Sequence, residues 1–314
     1  MRIIFLVCFT LLAAGCSSLP IVDVPSANQG SRINYLVLHF TSEDFAESLR
    51  LLTQPTDRPV SVHYLVPEPG DETYDRKGLV IYRLVREPRR ARHAGVSYWG
   101  ASQSLNNSSI GIEIVNRSRC EFVDADAEPA PENQQCTFLQ FPEEQIELVI
   151  RLAKNILERN PDIEPIDVIG HGDIAADRRL DPGPKFPWRR LYENGIGAWY
   201  DEEAVARYRE KFERELPDLA MMQRALAAFG YRIEETGEND VQTRFVVRAF
   251  QMHFRPANWS GGIDAETAAI LFALLEKYRP DEIEKLLQVE ATAAPFQSAS
   301  LFLLIASSKE SSCS

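Results

Sequence analysis

The sequence predicts an α/β domain with a mixed central sheet flanked by helices, followed by a small helical domain. Three observations lead there. Short apolar runs alternate with amphipathic stretches over the first two thirds of the chain, and two of those runs are separated by a turn-rich segment. Near residue 200 the pattern turns wholly helical. The length of 314 residues agrees, since about 150 residues per domain gives two domains.

Residues 33–40 are apolar on both alternating faces, as in a central strand covered on both sides. Residues 43–52 place Phe45, Leu49 and Leu52 at helical spacing. Residues 61–66 and 79–85 read as two more strands, and the charged segment 67–77 between them suits a hairpin-like connection. Residues 109–115 set Ile110, Ile112 and Ile114 on one face and Glu113 on the other. After a loop at 116–140, Pro142 opens a helix with Glu143 and Glu144 in its first turn, where acids favour the dipole. Residues 166–170 form a short strand that runs into His171. Beyond residue 200, Asp240 with Thr243 and Asp264 with Thr267 repeat one phrase after a glycine, each Asp placed to cap a helix. Leu219, Met222, Leu226 and Phe229, then Phe245, Ala249 and Phe250, then Ile270, Leu271 and Leu274 supply a three-helix unit within 205–287. The Ser- and Ala-rich tail 288–314 has no assigned role.

Thirty-four Lys and Arg against 46 Asp and Glu leave a net charge of −12, which disfavours nucleic acid as a partner because phosphate binding needs a basic footprint. Arg86, Arg89 and Arg90 form a small basic cluster, read as a solvated loop. The apolar run 3–14 is too short to cross a hydrocarbon core of about 30 Å but suits a signal-peptide core. Residues 17–31 read as a tether. Cys8 and Cys16 fall in the signal; Cys120 and Cys136 flank a polar stretch, and an oxidising compartment would allow them to pair. Neither sits in a CxxC, so zinc binding by that pair is disfavoured, and Cys313 is left unpaired in the tail.

The histidines are His39, His63, His93, His171 and His253. His39 and His171 each end a short apolar strand. If those strands lie side by side and run the same way, both imidazoles project from one edge of the sheet, and the loop after His171 can bring Asp181 to the same point. Two imidazoles and a carboxylate make a three-ligand set for a divalent metal, zinc being favoured, with the fourth position free for water. On spacing alone, structural or surface histidines remain the alternative. Glu113 on a buried strand needs a reason: a proton carrier beside the metal, or an ion pair with Arg86 or Arg92.

The words YLVLHFT at 35–41, VHYLV at 62–66, HAGVSYW at 93–99, SIGIEIVN at 109–116, GHGDIA at 170–175 and DPGPKFPW at 181–188 resemble, in order, the zinc-dependent N-acetylmuramoyl-L-alanine amidase family. Peptidoglycan recognition proteins and a phage lysozyme share that family's fold. The resemblance implies a catalytic domain at 32–197, and residues 217–276 are similar to a small helical peptidoglycan-binding domain. Residues 12–16, LAAGC, resemble a bacterial lipoprotein signal within 1–16; a plain secretory signal with an incidental cysteine is the alternative. An acylated Cys16 followed by Ser17 rather than Asp implies an outer-membrane anchor facing the periplasm.

Carried over by position, the resemblance makes His39, His171 and Asp181 the ligands of one zinc ion and Glu113 the general base and acid. Arg179 stands where the family has a lysine that helps stabilise the transition state. Phe40, Thr41, Tyr64, His93, Ala94 and Trp99 fall where the family lines its substrate cleft. His63 is read as a hydrogen-bonded core histidine and His253 as a surface or capping residue. The implied activity is hydrolysis of the amide between N-acetylmuramic acid, or its anhydro form, and L-alanine, in cell-wall turnover or recycling by a monomer. Peptidoglycan, muropeptides and outer-membrane lipid are the implied partners. A wall-binding module without hydrolysis and a purely structural lipoprotein are the competing readings. Because the ligands all lie in 32–197, a chain ending after residue 197 is expected to keep turnover of small muropeptides and to lose only insoluble wall.

Overall fold

The computed structural model describes residue 19, residues 21–124 and residues 126–293. The run 3–14, Cys8, Cys16 and Cys313 lie outside the described residues. Residues 21–30 are irregular and exposed and belong to a first unit, while the body begins at Ser31. Among the described residues no helix is long and apolar enough to cross a membrane.

In chain order the first part of the body comprises β1 (Tyr35–Phe40), α1 (Phe45–Thr53), β2 (Tyr64–Val66), β3 (Tyr82–Arg83), β4 (Tyr98–Trp99), β5 (Ser102–Gln103), β6 (Ser109–Ile114), β7 (Arg119–Phe122), β8 (Gln134–Thr137), α2 (Glu143–Arg159), β9 (Val168–Gly170), α3 (His171–Ile174) and α4 (Trp188–Glu193). The main sheet has the order β3-β2-β6-β1-β9; all its pairs are parallel except β2 with β3. The sheet is therefore mixed, with its hairpin at one edge. Leu36, Val37 and Leu38 of β1 and Ile110, Ile112 and Ile114 of β6 are fully buried, and Ile146, Val149, Ala153 and Ile156 of α2 join the same core. A smaller core of Phe45, Leu65 and Val115 lies under α1. Burial on both faces explains why these strands carry unbroken apolar runs.

Several strands are shorter than their apolar runs. β3 pairs over only two residues because it is the edge strand and Arg83 faces solvent. Pro165 has no N–H for a ladder, so residues 165–167 form a 3-10 turn before β9. The hairpins β4–β5 and β7–β8 escape sequence reading because neither has apolar alternation. Cys120 and Cys136 lie opposite each other in β7–β8 and are joined by a disulfide, Cα to Cα 4.0 Å.

The rest of the body is helical: α5 (Glu202–Arg214), α6 (Leu219–Phe229), α7 (Val241–Phe254), α8 (Ala265–Tyr278) and α9 (Pro280–Ala293). Five helices replace the three expected. α5 joins because Phe212 packs edge-on against Phe272 of α8 at 4.9 Å, and Ile283 and Leu286 of α9 add to the same core. Asp240 and Asp264 cap α7 and α8 by accepting from the N–H groups of Thr243 and Thr267, each at 2.9 Å. The repetition goes deeper than the phrase. Buried Gln223 and Gln251 each donate to that threonine hydroxyl (2.8 and 2.9 Å) and each accept a glycine N–H, from Gly237 and Gly261, at 2.8 Å. Gly261 is required by its φ of 81° and because a Cβ there would meet the Arg244 carbonyl oxygen at 2.7 Å.

The helices do not stand apart from the sheet. One continuous core runs from Ile110 to Leu271. Trp99 lies edge-on to Tyr231 at 5.0 Å and to Phe229 at 6.1 Å, and Gly100 N–H donates to Gly230 O at 2.8 Å. Buried Arg248 of α7 donates to the Pro131 carbonyl (3.1 Å) and to Gln134, bracing the β7–β8 hairpin.

Beside this interface, Asp167 accepts from Trp99 Nε1 at 3.2 Å, while burial and the charge of Glu164 push its pKa up from 3.8 to about 6 against the pull of Arg279. The folded chain therefore binds one more proton than the unfolded chain between about pH 4 and pH 6, so this contribution is present below that window and is lost as pH rises through it. Asp167→Asn is expected to stabilise the protein at pH 8 by about 1 kcal/mol, after allowing for solvent screening, and to have no such effect at pH 4. Urea unfolding at the two pH values checks it; equal effects at both would refute the assignment.

Candidate metal centre

The register of three parallel strands builds the site. Leu38 of β1 lies opposite Gly170 of β9, so His39 and His171, one residue on, leave the sheet at the same level. His39 is itself opposite Glu113 of β6. Paired residues on neighbouring strands face the same side, so three functional side chains gather at one end of the sheet. Asp181 arrives by the loop after α3, which is tied back by Gly172 N–H donating to Asp181 O at 2.8 Å.

His39 Nδ1, His171 Nδ1 and Asp181 Oδ2 form a buried triangle with sides of 3.0, 3.1 and 3.1 Å. A tetrahedral ion with bonds near 2.0 Å needs donors about 3.3 Å apart, so the triangle has the right size. The hydrogen-bond network also assigns the tautomers. His171 Nε2 lies 3.2 Å from the Ala94 carbonyl and must carry the proton there, leaving Nδ1 bare. For His39 the argument runs through a relay. The Ser109 hydroxyl donates to Leu105 O (2.6 Å) and so accepts from His93 Nε2 (3.1 Å); His93 Nδ1 then accepts from His39 Nε2 (2.9 Å), again leaving Nδ1 bare. Two lone pairs and a carboxylate oxygen aimed at one point can hold a cation, and zinc fits the donor set.

The electrostatics agree. Burial, reinforced by His171, lowers His39 to about 4, and burial holds His93 and His63 below the ordinary imidazole range, so all three are neutral near pH 7. Burial alone would raise Asp181, but a proton on His171 or His39, the charge that a cation at this point would replace, holds it well below the usual carboxylate range. Glu113 shows the opposite outcome: burial and the Asp181 charge push it well above that range, against the pull of Arg179. Its Oε2 is closed off from solvent with no hydrogen-bond partner, which removes the ion pair as its reason for being there.

A cleft of about 330 Å³ opens over this centre, lined by Glu113, His171 and Asp181 with Phe40, Thr41, His93 and the exposed Arg179. Three expected cleft residues are elsewhere. Tyr64 lies opposite Ile112, hence on the face away from Glu113, and donates to Glu87 at 2.6 Å. Trp99 points into the helical domain. Ala94 is fully buried and acts through its carbonyl, which accepts from His171 and from Arg178 Nη2 at 2.9 Å. His63 is a core histidine, accepting from Gly111 N–H (3.0 Å) and donating to Arg89 O (3.1 Å). His253 corrects the surface or capping reading: it is 4% exposed and stacked 3.7 Å from Trp188, because the interface between the two halves covers it. Sequence reading assigns no site role to Arg178 or Ser109 and does not place Cys120, Phe122 and Gln134 on the cleft wall; Ser109 opens a motif word and Cys120 is read only for its pairing, while Arg178, Phe122 and Gln134 carry no motif signal.

The relay gives a prediction. The His93 ring fits against Gly111, where a Cβ would meet it at 2.6 Å. His93→Leu strands the His39 Nε2 proton in a buried place and should weaken metal binding at this cluster about 10- to 100-fold. Titration against a competing chelator measures this, and parental affinity would refute the relay.

Two imidazoles and an ionised carboxylate around one point, beside a second carboxyl whose pKa burial raises, define a hydrolase equipped to work with a divalent metal. Residues 29–184 match the N-acetylmuramoyl-L-alanine amidase family, and residues 215–271 match a peptidoglycan binding domain. The chain is 40% identical to N-acetylmuramoyl-L-alanine amidase AmiD of Escherichia coli over 291 residues, 89% of this chain and 99% of AmiD. It superposes on AmpDh3 from Pseudomonas aeruginosa in complex with an anhydromuramic pentapeptide with a TM-score of 0.74 at 46% identity, covering 83% of this chain and 99% of that one. AmiD in complex with anhydro-N-acetylmuramic acid-L-Ala-D-γ-Glu-L-Lys gives 0.67 at 39% identity, covering 81% of this chain and 93% of that one. This chain belongs to the N-acetylmuramoyl-L-alanine amidase family and is an enzyme of that class.

Proposed function

We propose that this amidase cleaves the bond between the lactyl carbonyl of N-acetylmuramic acid and L-alanine in muropeptides, including the anhydro form, with one zinc ion held by His39, His171 and Asp181. The observation that carries the reading is the register that puts His39 between Glu113 and the strand leading to His171. The anhydro-muropeptide complexes of AmpDh3 and AmiD support the substrate class. Zinc, when bound, supplies Lewis acidity to the scissile carbonyl and to the attacking water. Glu113 takes the proton of that water and passes it to the departing alanine nitrogen; a carboxyl raised by burial is suited to both transfers. Arg179, exposed at the cleft, places a fixed positive charge for the developing oxyanion. Phe40, Thr41 and His93 line the substrate side.

The helical domain at 205–287 would bind wall polymer, in keeping with the family match of residues 215–271. Acylation of Cys16 would hold a monomer on the outer membrane, facing the periplasm; residues 12–16 and the preceding apolar run support this. Incubation with intact and anhydro muropeptides, followed by mass spectrometry, is expected to release free stem peptide beginning at L-alanine from both, with one zinc per chain by metal analysis. Release of any other fragment, or protein purified without chelator that holds no metal, would refute the reading.

A further inference from the structure

The helical domain reaches the metal centre through one carboxylate. Asp173, 5% exposed, lies in α3 two residues after His171. Its Oδ2 accepts the N–H of Gly170, immediately before that histidine, and His253 Nδ1 of α7, both at 2.8 Å. Its Oδ1 accepts the Tyr231 hydroxyl at 2.6 Å. Both donors from the helical domain are fixed in turn. His253 is stacked between Trp188 at 3.7 Å and Phe254 at 3.9 Å, and Tyr231 is packed edge-on to Trp99. On its far side the same loop is closed by the bond from Gly172 N–H to Asp181 O. Asp173 is thus held inside a loop that starts at one ligand and ends at another.

We infer that the helical domain is part of the metal centre: Tyr231 and His253 are positioning residues that clamp Asp173 and so set the spacing of His171 and Asp181. A domain that served only to bring substrate near would need no contact with this loop. Here two of its side chains, Tyr231 and His253, supply two of the three hydrogen bonds that Asp173 accepts, the third coming from the Gly170 N–H. The inference rests on the zinc-ligand reading above.

The test uses the full chain and three readouts: zinc affinity against a competing chelator, the visible spectrum of the cobalt-substituted protein, and kcat and KM on a small soluble muropeptide. Tyr231→Phe and His253→Phe are expected to weaken zinc binding about 10- to 100-fold, to alter the cobalt spectrum and to lower kcat with KM unchanged. His253→Asn keeps an N–H donor and should recover most of the loss. Tyr278→Phe is the matched control. It also removes a tyrosine hydroxyl from the helical domain, but one bonded to the Trp199 backbone (3.2 and 3.1 Å), and it should behave as the parent. Folded Tyr231→Phe and His253→Phe proteins with parental zinc affinity and cobalt spectrum would overturn the inference, as would an equal loss in Tyr278→Phe. If the His253 variants fail to fold, Tyr231→Phe, which removes a single oxygen, decides alone. A parent that binds no zinc would overturn the ligand reading and this inference with it; a zinc-binding parent with unchanged variants overturns only the inference.

Discussion

Glu113→Gln is expected to fold, to bind zinc as the parent does, and to lose turnover of both soluble muropeptides and wall by about 10²- to 10⁴-fold. The amide has nearly the shape of the carboxyl, and Glu113 is not among the three donors at the metal point, so ligand geometry stays as it is. What goes is the group that moves the proton. Folding stability should not fall, because the variant replaces a raised, partnerless carboxyl with a neutral group. Single-turnover kinetics on a soluble muropeptide, with metal content measured on the same sample, checks the prediction. Activity within tenfold of the parent would mean that another group carries the proton.

A chain ending after residue 197 is expected to fail on small muropeptides as well as on wall, which reverses the expectation drawn from sequence. The cut would uncover Trp99 and Trp188 and remove Tyr231 and His253 from Asp173. Each large apolar side chain returned to water costs roughly 1.5–3 kcal/mol. Losing several approaches the 5–15 kcal/mol by which a whole domain is typically stable. Urea unfolding of the shortened chain should show a midpoint far below that of the parent or no cooperative transition, together with loss of zinc. A cooperative, zinc-loaded fragment with parental turnover would restore the modular view.

The contrast shows what a single sequence can carry. His39, His171 and Glu113 stand out in the sequence because each ends or interrupts an apolar run, but that pattern alone leaves a structural role open, and the family motif words carry their assignment to one centre. Strand register then turned those positions into one site. Tyr64, Ala94 and Trp99 sit in the same motif words yet face elsewhere, because a motif records that a residue matters without recording which side of the sheet it serves. The burial of His253 is invisible in the sequence for a related cause. Its burial comes from Trp188, 65 positions earlier in the numbering, and no local periodicity reports a partner at that distance. The β7–β8 hairpin was hidden by its polar strands, although its cysteines were a usable signal for a paired segment.

The pairing of Leu38 with Gly170 and of His39 with Glu113 also bears on how such a chain can vary. Side chains alternate sides along a strand, so deleting or inserting one residue within β1 would not displace the centre slightly but would turn His39 to the opposite face of the sheet. Conservative exchanges among the buried valines, leucines and isoleucines leave that alternation untouched. Related chains should therefore tolerate broad substitution in these three strands and length changes in the hairpins and outer loops, while showing no gaps between Tyr35 and Phe40 or between Ser109 and Ile114.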